Sequence, residues 1–233
     1  MKYTVKPEVF ELDPALCFGI IVTRGLKNTK TSPDETTRLR KAEARAREFI
    51  SEQGLKTQDV IAGYRSVLEK AGINPNKYMN SMEAMMKRVL KGGSLPTINS
   101  LVDLCNAVSI ENQVSLGGHD LDDIKEDLYV GFSKGGEKFL PFGETEYETI
   151  EPGELIFAGG DTVQTRKWVW RQSELGKITM DTQNVFFQLV GFDKQPGSPL
   201  AGALDALEEL IRTKFGGTFR RYIVDRDNPE IEF

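Results

Sequence analysis

The sequence predicts an α+β fold, and three observations carry that prediction. Apolar residues recur at helical spacing in four stretches between residues 36 and 108. Beyond residue 109 the pattern changes to period-two alternation and short apolar runs broken by Gly and Pro. One more helical stretch follows the linker Gln195-Pro196-Gly197-Ser198-Pro199. Helices gathered at one end and strands at the other indicate segregated layers rather than alternating βαβ units.

Residues 3–23 read as extended structure. Tyr3 and Val5 alternate with polar neighbours, Pro7 interrupts, and Phe10 and Leu12 resume the alternation. A proline there suits an edge position. Cys17-Phe18-Gly19-Ile20-Ile21-Val22 is a continuous apolar run, long enough for a buried strand and too short for a helix. A polar loop over 24–35 leads into a basic helix over about 36–52. Leu39, Ala42, Ala46, Phe49 and Ile50 lie inside it, and Arg38, Arg40, Lys41, Arg45 and Arg47 crowd its surface. A second helix, about 57–71, buries Val60, Ile61, Tyr64, Val67 and Leu68, with Gly72 where a left-handed cap belongs. Asn80-Ser81-Met82-Glu83 reads as a capping box for a third helix, whose inner face is Met82, Met85, Met86, Val89 and Leu90.

The stretch from Leu95 to Ile124 organises the rest. Ile98, Leu101, Val102 and Cys105 stand at i, i+3, i+4 and i+7, with Thr97 as N-cap and Asn99, Asp103 and Asn106 between them. From Ser109 the residues alternate as a strand does, and Gly117-Gly118 reads as a turn just before His119, the only histidine. Leu128–Phe132 and Lys138–Phe142 flank Lys134-Gly135-Gly136-Glu137, a hairpin signal. Glu154–Ala158 is a strand that Gly159-Gly160-Asp161 reverses into an alternating run from Val163 to Gln172, and Val185–Val190 is another strand. Ser198 as N-cap and Pro199 at the first helical position start the last helix. Arg220–Val224 follows as an edge strand.

Length and composition bound the function. A chain of 233 residues buries roughly 70% of its unfolded surface, so it needs neither metal nor disulfide to hold its core. Cys17 and Cys105 each sit in an apolar run, as buried free thiols do in a reducing compartment. The N-terminal residues lack a charged head followed by an apolar run, and no apolar run nears the ~18 residues of a membrane span. Cytoplasm is therefore the expected location. A net charge of −5 argues against a sequence-independent nucleic-acid coat, and no DNA partner is expected. The charge is unevenly spread. Residues 24–91 hold 15 Lys/Arg and 8 Asp/Glu, whereas 101–164 hold 3 Lys and 14 Asp/Glu. If an RNA binds, its phosphates are drawn to the N-terminal half. Alternatively these cations simply solvate the outer helix faces.

The residues that can carry chemistry are few. One histidine cannot build an HExxH or His-rich centre, and no nucleophile elbow or Cys-His spacing occurs, so no metal and no cofactor is expected. In the alternating run Lys167–Gln172, Trp168, Trp170 and Gln172 share one strand face, while Lys167, Val169 and Arg171 share the other. Two indoles on one face can stack an adenine or an aromatic amino acid, and Arg171 can hold a phosphate or carboxylate. Equally, the tryptophans can be core and Arg171 a surface charge. His119 is either a general base or a turn residue, and Asn99 and Asn106 either line a site or bridge helix to strand.

Several of these residues also form an ordered pattern. Pro96, Ile98, Asn99, Val102, Asp103, Asn106, Val108, Glu111, Leu116 and Asp120 follow a run close to P-I-N-N-x-V-D-x-T-N-Y-V-x-x-E-x-G-Q-P-L-H-A-F-D, with one extra residue after Pro96. Gly135–Phe139, Glu154–Ala158 and Thr182–Phe187 continue it as G-E-K-L, D-L-V-I-A and T-x-N-V-L-L. Over roughly residues 60–195 the chain resembles the B3/B4 domain of the bacterial phenylalanyl-tRNA synthetase beta subunit. The remainder leaves no room for a synthetase core, so the resemblance is to a free-standing B3/B4 protein. It would be a single domain over 1–233. An N-terminal strand and basic helix (1–56) precede the core (57–195), and a C-terminal helix and tail (196–233) follow.

The resemblance implies a three-layer fold with a β-sandwich of unusual topology. It also implies an editing role: binding the misacylated 3′ end of a tRNA and hydrolysing the ester. On that basis His119 and Gln188 are the catalytic candidates. Asn99, Asn106, Trp168, Trp170, Arg171 and Gln172 are pocket candidates, and Arg38, Arg40, Lys41, Arg45 and Arg47 are tRNA contacts. The family histidine falls on Gly117 and the family glutamate on Gln188. The family's A-G-x-x-G-G run falls on Trp168–Gln172. A module that binds tRNA, an amino acid or a nucleotide without hydrolysis is the alternative, and a small-molecule enzyme on the same fold is a third. The resemblance gives no oligomeric state.

Overall fold

The computed structural model describes residues 1–233. In chain order the strands are β1 (Lys2–Val5), β2 (Cys17–Arg24), β3 (Ser115–Asp120), β4 (Leu128–Phe132), β5 (Lys138–Phe139), β6 (Glu148–Thr149), β7 (Leu155–Gly159), β8 (Thr162–Arg166), β9 (Arg171–Gln172), β10 (Val185–Gly191), β11 (Thr218–Asp225) and β12 (Glu230–Glu232). The α-helices are α1 (Pro7–Leu12), α2 (Pro33–Phe49), α3 (Asp59–Lys70), α4 (Ser81–Leu90), α5 (Ser100–Asn112) and α6 (Pro199–Leu210).

The strands form two sheets. One runs β11-β2-β10-β3, and the other β12-β1-β4-β7-β8-β5-β6 with β9 beside β8. Strand β10 shows how the layers stack. Phe186 and Val190 face the core shared with Tyr3, Val130 and Phe157 of the larger sheet. Val185, Phe187 and Leu189, one residue out of phase, face Leu104, Leu204 and Leu207 of α5 and α6. Because successive side chains alternate, one strand serves both interfaces. The result is helix layer, sheet, sheet: the α+β class that the sequence pattern predicts and the three-layer arrangement that the family resemblance implies. Helices α2, α3 and α4 pack on the same inter-sheet core through Leu39, Tyr64 and Met86. Full burial of a ring such as Phe186 contributes about 2–3 kcal/mol.

Several expectations are corrected. Pro7 starts the helix α1 instead of interrupting a strand, because its fixed φ and missing N–H suit the first helical position. Helix α5 is capped by Asn99, whose side chain accepts from Val102 N at 3.0 Å, rather than by Thr97. It continues through Ser109–Glu111 because Ala107, Val108 and Ile110 extend its buried stripe, and Gln113 closes it at φ 56°. Asn80 caps α4, but Glu83 does not complete a capping box: it pairs with Arg65 at 2.9 Å. The 128–132 and 138–142 segments are not a hairpin. Strand β4 is flanked by β1 and β7, which leaves β5 to pair with β6 and β8.

Two corrections shape the site. Gly117-Gly118 is not a turn but the middle of β3, paired to β10. A Cβ on Gly118 would meet Phe187 Cε1 at 3.1 Å, so glycine there permits close approach of helix-facing rings. Residues 167–170 are a turn rather than a strand, and only Arg171-Gln172 pairs, with β8.

Candidate functional site

Strand parity places the histidine. Gly117 and His119 are two apart on β3, so they share a face, and Gly117 stands opposite Gln188 of β10. The imidazole leans back along the strand until Nε2 lies 3.3 Å from where a Gly117 Cβ would stand. The His119 ring thus lies against Gly117, the residue that pairs with Gln188. Its ring packs edge-on against Phe157 at 4.9 Å. Burial pushes its pKa down to about 4, so the imidazole is neutral at pH 7.

Gln188 is oriented from the other sheet. The buried Tyr3 hydroxyl donates to Gln188 Oε1 at 2.7 Å, which fixes the carboxamide with Nε2 on the opposite side. Gln172, at the end of β9, donates from Nε2 to Gly118 O at 2.9 Å and lies 3.5 Å from His119 Nδ1. The turn before it brings Trp168 inward. Lys167 and Trp168 hold φ of 45° and 65°, a left-handed conformation that costs non-glycine residues about 1–3 kcal/mol. Glu154 offsets the cost by accepting from Lys167 N at 3.2 Å and Nζ at 2.6 Å, and Ser81 N donates to Val169 O at 2.9 Å. Trp168 is 1% exposed, and its indole N–H has no hydrogen-bond partner in the protein. A buried donor left unpaired costs about 1–3 kcal/mol, which a ligand acceptor can recover.

These side chains converge on a cavity of about 180 Å³ between the sheets. Asn106, His119, Trp168, Trp170, Gln172 and Gln188 line it, with Ser81, Ser115 and Thr165 adding hydroxyls. No carboxylate, lysine or arginine lines it. Its polar equipment is neutral throughout, which suits an uncharged group rich in donors and acceptors.

Two pocket candidates lie elsewhere. Asn99 is buried as the cap of α5 and donates to Ile178 O at 3.4 Å. Arg171 is opposite Arg166 on β8 and one residue from Gln172, which puts it on the face away from the cavity. The basic helix is largely engaged with the protein itself. Arg38 pairs with Glu111 at 3.0 Å, and Arg40 pairs with buried Glu43 and donates to Leu95 O at 2.6 Å. Arg47 donates to Val89 O and Gly93 O at the end of α4. Arg45 lies over the Phe49 ring, and Lys41 is exposed; neither has a carboxylate partner. Sequence reasoning missed Ser81, Ser115, Thr165 and Tyr3. Isolated hydroxyls carry no pattern, and Tyr3 reaches Gln188 across 185 residues of chain.

Fold and cavity define an α+β domain with a neutral polar chamber between two sheets. More particularly, the chain belongs to the B3/4 domain family, which it matches over residues 63–197. Among solved structures it is similar to an N-terminal fragment of the phenylalanyl-tRNA synthetase beta subunit from Pyrococcus horikoshii. The identity is 15%, over 94% of this chain and 49% of that one, with a TM-score of 0.42. The chain thus spans about half the length of that solved fragment. No curated protein matches it.

Proposed function

We propose that this protein binds the aminoacylated 3′ end of a tRNA and hydrolyses the ester of a wrongly attached amino acid. Family membership and the motif order read in the sequence supply the ligand class. The observation that carries the chemistry is that Trp168, whose buried indole N–H has no partner in the protein, and Gln188 both line the chamber. An aminoacyl ester is already activated, so a positioned water and neutral donors for the developing oxyanion suffice. Water adds to the carbonyl carbon, and the negative charge gathers on the carbonyl oxygen, where Trp168 and Gln188 donate. The bond to the ribose oxygen then breaks, that oxygen takes the proton the attacking water gives up, and the free amino acid leaves. His119 Nδ1, beside Gln172, and the ring as a whole orient the water in its neutral form.

The tRNA body lies along α2, where Lys41 and Arg45 are free to meet phosphates, Arg47 adds charge from a fixed position, and Arg38 and Arg40, paired with Glu111 and Glu43, exchange those partners for phosphate. Ser81 and Met85 of α4 line the chamber, and Arg47 of α2 grips the far end of the same helix, about 12 Å along its axis. A panel of correctly and wrongly charged tRNAs, Tyr-tRNA(Phe) included, tests the reading. Turnover of a mischarged species, reduced at least about tenfold in Trp168→Phe and in His119→Ala, is expected. No turnover of any species, at concentrations where tRNA is bound, removes hydrolysis. That outcome leaves the second reading, a module that binds without reaction. It is supported by the burial that pushes the pKa of the one histidine down to about 4 and by the lack of a carboxylate in the chamber to take a proton.

A further inference from the structure

A second pocket, of about 280 Å³, adjoins the polar chamber and shares Asn106, Leu116, Gly117 and Gln172 with it. Beyond that common wall the two are chemically unlike. Ile98, Leu101, Cys105, Phe142, Ile178 and Phe187 line the second pocket, with Lys177 the one charged side chain. Lys177 is already paired with Glu174 and lies over the Phe142 ring. A dry cavity of about 150 Å³ lined by Leu, Ile and Phe is enough to hold benzene, so this one has room for a benzyl or branched aliphatic group. At its mouth the chain leaves Ile98 60% and Phe142 53% exposed. Two large apolar side chains left in water beside one apolar pocket mark a surface that another apolar group covers. Gly117 stands where the two pockets meet. Any side chain there starts with a Cβ 3.3 Å from His119 Nε2, on the wall common to both compartments.

We infer that the pocket is the side-chain compartment of the site and selects a large apolar aminoacyl group, aliphatic or phenyl. This rests on the proposed function: the polar chamber takes the ester and ribose, and Gly117 is the gap through which the amino acid reaches the apolar side. No charged partner is available there for an acidic or basic amino-acid side chain, whose burial would cost several kcal/mol.

The test uses 3′-aminoacylamino-adenosines, whose amide replaces the ester and stops the chemistry, with glycyl, aspartyl, tyrosyl, phenylalanyl and leucyl groups. Binding is measured by calorimetry to wild type and to Ile98→Asp and Phe142→Asp, both exposed positions that leave the core intact. The phenylalanyl and leucyl compounds are expected to bind at least about tenfold more tightly than the glycyl one. Both variants are expected to lose that preference while keeping the glycyl affinity. Equal binding of glycyl and leucyl compounds, a preference for aspartyl or tyrosyl, or a preference untouched by the two variants would overturn the inference and leave the proposed function standing. If no compound binds, the proposed function falls and the inference with it.

Discussion

A histidine held in the neutral form by burial must make folding depend on pH in one direction only. The unfolded chain protonates His119 near 6.5, while the folded chain resists until about 4. Above pH 6.5 both states carry a neutral ring and its contribution to stability is complete. As the pH falls from 6.5 to 4 the unfolded state takes up a proton that the folded state refuses, and stability declines. Below 4 both are charged and the loss stops. The shift from 6.5 to about 4 corresponds to about 3 kcal/mol, lost at about 1.4 kcal/mol per pH unit. Carboxylates contribute to acid denaturation too, so the quantity to read is a difference. Urea unfolding of wild type and His119→Gln is compared at pH 7.5, 6.0, 5.0 and 4.5. The gap should narrow by about 2–3 kcal/mol as the pH falls. With one histidine in the chain, a carbon-13 label at Cε1 gives a single resonance whose midpoint should lie near 4. A midpoint near 6.5, or parallel pH profiles for the two proteins, would refute the burial argument and expose the ring to solvent.

Other substitutions probe the same architecture. Trp168→Phe removes a donor that has no partner in the free protein, so its stability cost should fall below the about 3–5 kcal/mol of a tryptophan truncation to alanine, while deacylation drops by about two to three orders of magnitude, as on loss of an oxyanion donor; thermal melts and single-turnover rates separate the two. Tyr3→Phe strands Gln188 Oε1 in the core and should cost about 1–3 kcal/mol in urea unfolding. Arg65→Ala leaves the buried Glu83 carboxylate without its 2.9 Å partner and should cost about 3 kcal/mol at pH 7, recovered in part on acidification, because burial already raises the Glu83 pKa and protonation relieves the charge.

The layering was legible because period and parity are local. The short apolar runs Val185–Val190 and Cys17–Val22 became β10 and β2, and the Ser198-Pro199 start became α6. Where the reading slipped, long-range packing had the deciding vote. Gly117-Gly118 has turn composition, but the rings of Phe187 and His119 lie against it and β10 pairs with it from end to end. Pro7 is acceptable to an edge strand and to a helix start alike, and only the packing of Val9 and Phe10 selects the helix. The indole pair was placed on one strand face. In the structure a left-handed turn brings both tryptophans to the cavity and sends Arg171 away from it. No single-residue signal foretells a non-glycine left-handed pair, since what holds it is Glu154, more than ten residues distant.

On the proposed function, the neutral chamber receives the acylated end of an RNA and the Trp168 indole N–H meets its carbonyl. With two tryptophans in the chain, nitrogen-15 labelling yields two indole resonances, which Trp168→Phe assigns. Titration with a 3′-aminoacylamino RNA minihelix should move the Trp168 resonance downfield as the donor gains an acceptor, with saturation matching calorimetric binding. An unchanged Trp168 resonance at ligand concentrations where binding is complete would place the ligand elsewhere and contradict the account.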